Sequence, residues 1–418
     1  MSAGEQGALA QSLNPTWLGW RWWTGLVALV MLLATATVSA AATVPVEIDL
    51  RAEIAAGRFD PAHDRVGVRG GYPPLSWQRS MMARPLGDGR FGLDIVFGSA
   101  PFGGQPVPYK FRIERAGQGP DSGWEPGPNH ALRLDPGVRI ARAFGAAPTP
   151  VAWTRAGTIE RLGRIPSAHV AQRHVQVWLP PGYAADALRR YPVLYLHDGQ
   201  NVFDGESAGA EWMVDETAQR LVEQGAIEAP IIVAVDSVNT RMHDYTPTAM
   251  TLPAERTGTG RAQAVGGGAA AYGRFLAEEL KPRIDGRYRT RREPASTAVG
   301  GSSLGGLVSL WLALHRSDTF GAALVVSPSV WWDEQFALRD VRSAPTLPQP
   351  RPRLWLDMGA HEGPEALPAA RALQQSLMAR GWDPTTLVFT EDEGGHHNEV
   401  SWAARVEGML RFLYPKQP

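Results

Sequence analysis

Residues 295–315 read ASTAVGGSSLGGLVSLWLALH, and this stretch decides the fold prediction. A short apolar run leads directly into a glycine pair, and an uninterrupted apolar helical segment starts at Leu304. A strand that enters a tight turn and leaves it as a helix lifts the side chain at the turn above the sheet edge, beside the helix N-terminus. The pattern Gly-x-Ser-x-Gly spans this turn at 301–305, which makes Ser303 a candidate nucleophile.

A second match to the same pattern is GESAG at 205–209, which centres on Ser207. The chain contains 45 glycines, so chance matches are expected. The nearest preceding apolar run ends about Leu196 and HDGQNVFD intervenes, so no strand leads directly into this turn. We therefore assign the nucleophile to Ser303 and interpret Ser207 as a loop residue near the pocket rim, in a position to cap the next helix.

Short apolar runs alternate with helical patterns from about Gly157 to the C-terminus. The runs are HVQVWL (174–179), YPVLYLHDG (191–199), APIIVAVDS (229–237), ASTAVGGS (295–302), GAALVVSPS (321–329), RLWLDMG (353–359) and TLVFT (386–390). A helix near 269–284 carries one apolar face, made by Tyr272, Phe275, Leu276, Leu280 and Ile284. This alternation predicts an α/β fold over residues 157–418, with a mostly parallel sheet covered by helices on both faces.

The segment before this region has a different pattern. Between residues 44 and 136 the strand-like stretches VPVEIDL, DRVGVRGG, RFGLDIVFG and VPYKFRIER are separated by turn formers such as Gly87-Asp88-Gly89. They predict a small, all-β, immunoglobulin-like sandwich. The following Pro/Ala/Gly-containing stretch, residues 137–156, is predicted to be a linker.

The N-terminus carries an uncharged, mostly apolar run from Trp22 to Ala42, preceded by Arg21 and ending in small residues. This pattern predicts a signal peptide over residues 1–40, and hence a secreted or periplasmic protein with no stable membrane association after cleavage. The alternative is an uncleaved anchor, since about 20 apolar residues can span a bilayer.

Charge and cysteine content exclude several classes of function. The net charge is −1, so no basic field indicates a nucleic-acid partner. The chain has no cysteine, so it contains neither disulfides nor a cysteine metal site. We expect neither a metal nor a cofactor.

A serine nucleophile needs a base, an acid to orient the base, and donors for the oxyanion. The adjacent His396 and His397 follow the last predicted strand, and one of them is the candidate base. For the acid we favour Glu362, in the loop just beyond RLWLDMG, over Asp357 within that strand, because a loop side chain can reach the ring. The predicted oxyanion donors are the backbone N–H groups of Leu304 and of Gly199 or Gln200.

Several stretches, in order, resemble one known family. They are VWLPPGY (177–183), YPVLYLHDGQNVFD (191–204), IIVAVDSVNTRMHDYTP (231–247), GGSSLGGLVSLWLALHRSDTFGAALVVSPSVWW (300–332), LWLDMGAHE (354–362) and EGGHHNEVSW (393–402). Residues 174–413 thus resemble an esterase family of α/β-hydrolases. That family contains enterobactin-type siderophore esterases, feruloyl and acetylxylan esterases, S-formylglutathione hydrolases and mycolyltransferases.

The resemblance implies roles for individual residues. The serine of the second glycine motif corresponds to Ser303, the histidine directly before Asn-Glu to His397, and the acid to Glu362. It also implies substrate-binding positions near the site, at Trp331, Trp332, Arg241 and Tyr245.

The β segment also resembles a known module. PLSW (74–77), YKF (109–111) and GWEPGPNHAL (123–132) are similar to a family-20 starch-binding module. The resemblance implies that Trp77 and Trp124 stack on glucose rings, and that Lys110 and Asn129, with Glu125 in the same set, bind α-glucan. The alternative is an immunoglobulin-like cap with a structural role.

These observations together predict a secreted serine esterase that hydrolyses acylated carbohydrates through an acyl-enzyme. Within the same class, the alternatives are a siderophore esterase and a sugar acyltransferase. The alternative from another class is a carbohydrate-binding protein with an inactive hydrolase domain.

The choice between the two serines is testable with p-nitrophenyl acetate. We expect Ser303→Ala to lower kcat by more than about 10⁴-fold, because the acyl-enzyme can no longer form. The control Ser207→Ala should keep its activity. Full activity in Ser303→Ala would refute the assignment.

Overall fold

Two four-stranded sheets enclose an apolar core at the N-terminal end of the computed structural model, which describes residues 42–119, 122–206, 209–252, 254 and 261–416. The elements are β1 (Ala42–Asp49), α1 (Arg51–Ala55), β2 (Arg65–Gly70), β3 (Met81–Met82), β4 (Arg84–Gly87), β5 (Arg90–Phe97), β6 (Val107–Glu114), β7 (His130–Leu132) and β8 (Ile140–Ala143). One sheet has the order β4-β5-β1-β8 and the other β3-β2-β6-β7.

Alternation along the strands builds this sandwich. On β1, Val44, Val46 and Ile48 are buried, and they join Val66 and Phe111 of the other sheet in one core. Successive side chains of a strand point to opposite faces, so this period of two buries one face of each sheet. The immunoglobulin-like character of the sandwich stays a prediction.

Part of the predicted linker belongs to the sandwich. Residues 140–143 form β8, which pairs in parallel with β1 through Val46 and Ile140. The linker prediction is wrong for these four residues, because a four-residue edge strand with one buried apolar anchor, Ile140, gives too short a periodic signal. The described residues, from Ala42 to Lys416 with their gaps, fall within one compact unit, and the independence of the predicted domains stays a prediction.

A mixed sheet of eight strands organises the rest of the chain. Its strands are β9 (Thr158–Ile165), β10 (Arg173–Leu179), β11 (Val193–His197), β12 (Ile231–Val235), β15 (Thr297–Ser302), β16 (Ala322–Val326), β17 (Arg353–Gly359) and β18 (Leu387–Asp392). Their order is β18-β17-β16-β15-β11-β12-β10-β9. The pairs from β12 to β18 are parallel, and β10 and β9 are added antiparallel at one edge.

Helices cover both faces of this sheet. They are α2 (Val214–Glu223), α3 (Arg241–Asp244), α4 (Ala269–Arg274), α5 (Lys281–Arg287), α6 (Leu304–His315), α7 (Trp332–Ser343), α8 (Ala366–Ala379) and α9 (Glu399–Leu413). Every residue of β11 is buried, and Leu194 and Tyr195 enter different core clusters. Consecutive residues of one strand are thus buried on opposite faces, which confirms the α/β prediction of a doubly covered sheet.

The predicted helix near 269–284 is confirmed as α4 and α5, joined by the π-helical residues Phe275–Leu280. All five side chains of its predicted apolar face are fully buried. The hairpin of β13 (Ala249–Leu252) and β14 (Gln263–Gly266) was not predicted.

The predicted signal peptide and Ser207 lie outside the described residues. Within the described part of the chain, no helix combines the length and apolar character needed to cross a membrane.

Candidate active site

Ser303 occupies a strained turn between β15 and α6. Its backbone has φ 61° and ψ −120°, a region that costs a residue with a side chain about 1–3 kcal/mol. Two hydrogen bonds hold the turn: Ser303 N donates to Val326 O at 3.0 Å, and Ser329 N donates to Ser303 O at 3.0 Å. A Cβ at Gly306 would lie 2.7 Å from Val326 O, so glycine is required for α6 to approach the sheet this closely.

The predicted oxyanion loop lies beside this turn. β11 pairs with β15 through Leu196 and Gly300, and the chain continues past His197 into Gly199–Asn201. A Cβ at Gly199 would lie 2.6 Å from the backbone N of Val235, so a side chain does not fit there. The Gln200 amide exchanges two 3.0 Å hydrogen bonds with Ser237, which fixes the loop.

Arg241 and Tyr245 form hydrogen bonds with Asp198, in the predicted oxyanion loop. Arg241 forms two 2.8 Å hydrogen bonds with the Asp198 carboxylate, and the Tyr245 hydroxyl accepts from Asp198 N at 3.2 Å. Burial lowers the pKa of the neighbouring His197 to about 3, so its ring is neutral at pH 7. His197 Nδ1 contacts Tyr272 Oη at 2.9 Å.

Two of the predicted substrate-binding residues are core residues. Tyr245 and Trp332 are 0% exposed, and Trp332 Nε1 donates to Thr248 O at 3.1 Å. They have no surface to offer a substrate, so that prediction is wrong for both. Trp331 is 54% exposed, and the side chain of Arg241 is 33% exposed.

His397 contacts Glu362. His397 Nδ1 lies 2.6 Å from Glu362 Oε2, while Glu362 Oε1 accepts from Ser327 Oγ at 2.6 Å and Gly359 N at 2.8 Å. Burial by itself would raise the pKa of Glu362, but the hydrogen bonds from His397, Ser327 and Gly359 outweigh it, and the net pKa is lowered. A carboxylate that stays ionised can orient an imidazole and stabilise its protonated form.

Asp357, the alternative acid, has other partners. It is fully buried within β17 and accepts from Trp355 Nε1 at 2.7 Å and Ser327 N at 3.1 Å. Arg405 lies 3.2 Å from it, yet burial dominates and raises the pKa of Asp357. Of the two carboxylates, Glu362 is therefore the one against the His397 ring.

His396 is turned to a different neighbour. Its ring stacks on His361, with centroids 5.0 Å apart and planes at 22°. The His397 ring instead meets Trp402 edge to face at 5.2 Å. The chain folds this way because Asn398 caps α9, accepting from Ser401 N at 2.9 Å, so His397 sits directly before the helix.

Two serines that follow β16 were missed by sequence reasoning. Ser327, at φ 42°, donates to Glu362 and accepts from Trp402 Nε1 at 3.0 Å and Arg405 Nη2 at 2.9 Å. Ser329 Oγ lies 3.3 Å from Ser303 Oγ. Their position in SPS, at the carboxyl end of a predicted strand beside the elbow strand, is the signal that could have found them.

The Ser303 hydroxyl is not bonded to the histidine in this conformation. Among the described residues, its hydrogen-bond partner is Ser329. Catalytic hydrogen bonds often tighten only in substrate complexes. Ser329 and His397 nevertheless line the same cavity of ≈ 500 Å³, together with Val330, Trp331 and Met358.

Gln78, from the N-terminal sandwich segment, also lines this cavity. The link between the two parts of the chain is direct, because Asn398 Nδ2 donates to Gly71 O at 2.7 Å. Among residues 42–416 as described, no group of three or more His, Asp and Glu side chains is placed to hold a metal ion.

The predicted sugar-binding residues do not form one open platform. Glu125 is buried and accepts from Phe111 N at 2.7 Å and Gly145 N at 3.1 Å. It stabilises the sandwich interior and cannot reach a surface sugar, so its predicted role is wrong.

The other four members of that set lie nearer the surface. The Trp77 and Trp124 rings are 6.2 Å apart and tilted by 57°, and the Arg69 guanidinium lies 5.2 Å over Trp124. Lys110 Nζ donates to Gly127 O, and Asn129 is exposed. Glucan binding by these residues stays a prediction.

The family model described as "Putative esterase" matches residues 168–413. The chain belongs to this family. Membership makes it an ester hydrolase, and relatives named as esterases agree. The ferri-bacillibactin esterase BesA of Bacillus subtilis is 35% identical over 155 residues, which are 36% of this chain and 51% of BesA. The uncharacterized protein YbbA of Bacillus subtilis is 24% identical over 261 residues, 61% of this chain and 97% of YbbA.

A solved structure shares the fold. The enterobactin esterase FES from Shigella flexneri, in the presence of 2,3-dihydroxy-N-benzoyl-glycine, aligns with a TM-score of 0.58 at 16% identity. The alignment covers 84% of this chain and 88% of that chain. The aligned 84% of the chain is more than residues 157–418 can supply, since these make up less than two thirds of it. The similarity of fold therefore extends into the N-terminal sheets.

The contact between His397 and Glu362 predicts the effect of Glu362→Gln. We expect kcat for p-nitrophenyl acetate to fall by about 10²–10⁴-fold with little change in KM, because the neutral amide no longer stabilises the imidazolium. The ionised Glu362, with its lowered pKa, also stabilises the fold above about pH 4.5, and this contribution disappears as the pH falls through the lowered pKa.

Urea unfolding at several pH values measures the effect on stability. The difference in free energy of unfolding between the wild type and Glu362→Gln should shrink below pH 4.5. The matched control is His396→Asn, which removes the adjacent ring but not the one on Glu362. Loss of kcat in His396→Asn, with retention in Glu362→Gln, would reverse the assignment.

Proposed function

We propose that this ester hydrolase is a serine esterase in which Ser303 is the nucleophile, His397 the general base and Glu362 the orienting acid. The observation that carries the proposal is the 2.6 Å contact of His397 Nδ1 with the buried Glu362 carboxylate. His397 faces a cavity that Ser329, the hydrogen-bond neighbour of Ser303, also lines. A nucleophile, a general base and an orienting acid are the three roles that acyl transfer by a serine requires.

In the proposed mechanism, Ser303 Oγ attacks the ester carbonyl carbon and its proton passes to His397 Nε2. The oxyanion accepts hydrogen bonds from Leu304 N–H, at the N-terminus of α6, and from Gly199 or Gln200 N–H. His397 then protonates the departing alcohol. Water, deprotonated by the same ring, hydrolyses the acyl-enzyme and restores Ser303.

Strain at Ser303 contributes to this mechanism by keeping the hydroxyl in place before the substrate arrives. The positive φ is held by hydrogen bonds to Val326 O at the end of β16 and from Ser329 N just after it, and not by the substrate. A nucleophile that is already oriented avoids an entropic cost in the transition state.

For the substrate, we propose an ester of a catechol siderophore. The support is BesA, a ferri-bacillibactin esterase by name, and the fold shared with FES, which was solved with a dihydroxybenzoyl ligand. The mainly apolar cavity lined by Val330, Trp331 and Met358 suits an aromatic group. An acylated carbohydrate, our first expectation from the sequence, and acyl transfer to a sugar are the alternatives.

Export to the periplasm or the medium is proposed from the apolar segment at residues 22–42 alone. An exported esterase would meet its substrate outside the cytoplasm.

A panel of purified esters tests the substrate proposal. We expect kcat/KM for enterobactin to exceed that for acetylated xylan and for feruloyl arabinose by at least about tenfold, or about 1.4 kcal/mol of transition-state binding. Chromatography of the products measures all three reactions, and Ser303→Ala supplies the background. A preference for either sugar ester would overturn the siderophore proposal while leaving the serine mechanism intact.

A further inference from the structure

A second, larger cleft adjoins the candidate active site. Its volume is ≈ 1000 Å³, and it lies between residues 71–78 of the sandwich and the loops at 360–371 and 396–398. Gln78, Glu362 and His397 line both this cleft and the ≈ 500 Å³ cavity, so the two spaces meet at the histidine. A substrate with its ester at Ser303 can therefore extend towards the sandwich.

Trp77 stands on the sandwich wall of this cleft and is firmly held. Its carbonyl accepts from Arg69 Nη1 at 2.9 Å, and its ring packs against Trp124. A Cβ at Gly71 would lie 3.2 Å from Trp77 Nε1, so the loop backbone closes on the indole. An aromatic ring fixed in this way can stack on a ligand with little loss of conformational entropy.

The opposite wall offers a matching surface. His361 and His396 form a stacked pair there, and Leu367 and Pro368 add apolar area. Burial, together with His361, lowers the pKa of His396, so its ring is neutral at pH 7. A cleft with an indole on one wall and imidazoles on the other suits a planar aromatic group that carries hydroxyls, since imidazole nitrogens can hydrogen-bond those hydroxyls.

The loop that carries Trp77 is tied to the catalytic segment. Asn398, adjacent to His397, holds Gly71 O by its amide and caps α9 by its carbonyl oxygen. Trp77 therefore keeps a defined position relative to His397 and the reacting ester.

We propose that Trp77 forms a distal aromatic subsite of the esterase: its indole stacks on a hydroxylated aromatic ring of the substrate that is remote from the scissile ester, opposite the His361–His396 pair. Gln78 marks the junction of this subsite with the catalytic cavity. The inference rests on the proposed function and deepens it, because it assigns to the sandwich a part in choosing the substrate.

The test compares a large aromatic ester with a small aliphatic one in Trp77→Ala. We expect kcat/KM for enterobactin to fall about three- to tenfold, mainly through KM, as stacking is lost. Ethyl acetate, which needs only the catalytic cavity, should change less than about twofold. Trp77→Phe should retain most of the enterobactin activity.

Leu86→Ala is the control, because it shortens an exposed apolar side chain of the sandwich that lines neither cavity. Equal losses of kcat/KM on both esters in Trp77→Ala would mean that the tryptophan only supports the structure, and would overturn the subsite. Unchanged kcat/KM for enterobactin would overturn it as well.

Binding tests the subsite independently of turnover. Calorimetry with intact enterobactin on the full chain carrying Ser303→Ala, which should not hydrolyse it, should give a Kd about three- to tenfold weaker when Trp77→Ala is added. An unchanged Kd refutes the subsite even if enterobactin is hydrolysed. Normal Trp77-dependent binding without hydrolysis by the wild type would instead refute the proposed function.

Insoluble starch supplies the remaining comparison. If Trp77→Ala loses binding to starch but keeps its kcat/KM for enterobactin, Trp77 belongs to a glucan platform and the subsite is wrong. We expect instead that Trp77→Ala lowers kcat/KM for enterobactin and does not change binding to starch.

Discussion

The left-handed backbone of Ser303 is the constraint on which the site depends. A serine at φ 61° is unfavourable in isolation, and it persists because its N–H donates to Val326 O at the end of β16 and its carbonyl accepts from Ser329 N in the segment that follows. Gly306 lets α6 lie close to the same strand, since a Cβ there would be 2.7 Å from Val326 O. Sheet register, helix packing and the backbone geometry of Ser303 thus depend on one another, and a change in any of them would move the hydroxyl.

A buried polar network holds the Glu362 carboxylate in position. Arg405 enters the interior from α9 and faces Asp357, Glu362 and Asp392, while Ser327 joins Glu362 to Arg405. Buried carboxylates are costly unless they are paired and hydrogen-bonded. Hydrogen bonds from His397, Ser327 and Gly359 lower the pKa of Glu362 and keep it ionised, with Oε2 against His397. The neighbouring Asp357 stabilises the network and does not meet the histidine.

The N-terminal sandwich is part of the same environment. It supplies Gln78 to the ≈ 500 Å³ cavity and Trp77 to the adjoining cleft, and Asn398 Nδ2 donates to its Gly71 O. The two tryptophans that the sequence suggested for a glucan platform have different surroundings. Trp77 lines the ≈ 1000 Å³ cleft, whereas Trp124 packs against Trp77 and lies under the Arg69 guanidinium. Residues of the sandwich thus line both spaces next to His397.

Local patterns in the sequence determined the alternation of strands and helices, the buried face of α4 and α5, and the position of Ser303 in a turn between a strand and a helix, because strand, turn and helix are adjacent in the chain. They left Asp357 and Glu362 open, missed Ser327 and Ser329, and placed Tyr245 and Trp332 at the substrate although both are core residues. Only the tertiary structure decided which carboxylate meets His397 and which cleft Trp77 faces. Those contacts join residues far apart in the chain, so no local period or spacing records them.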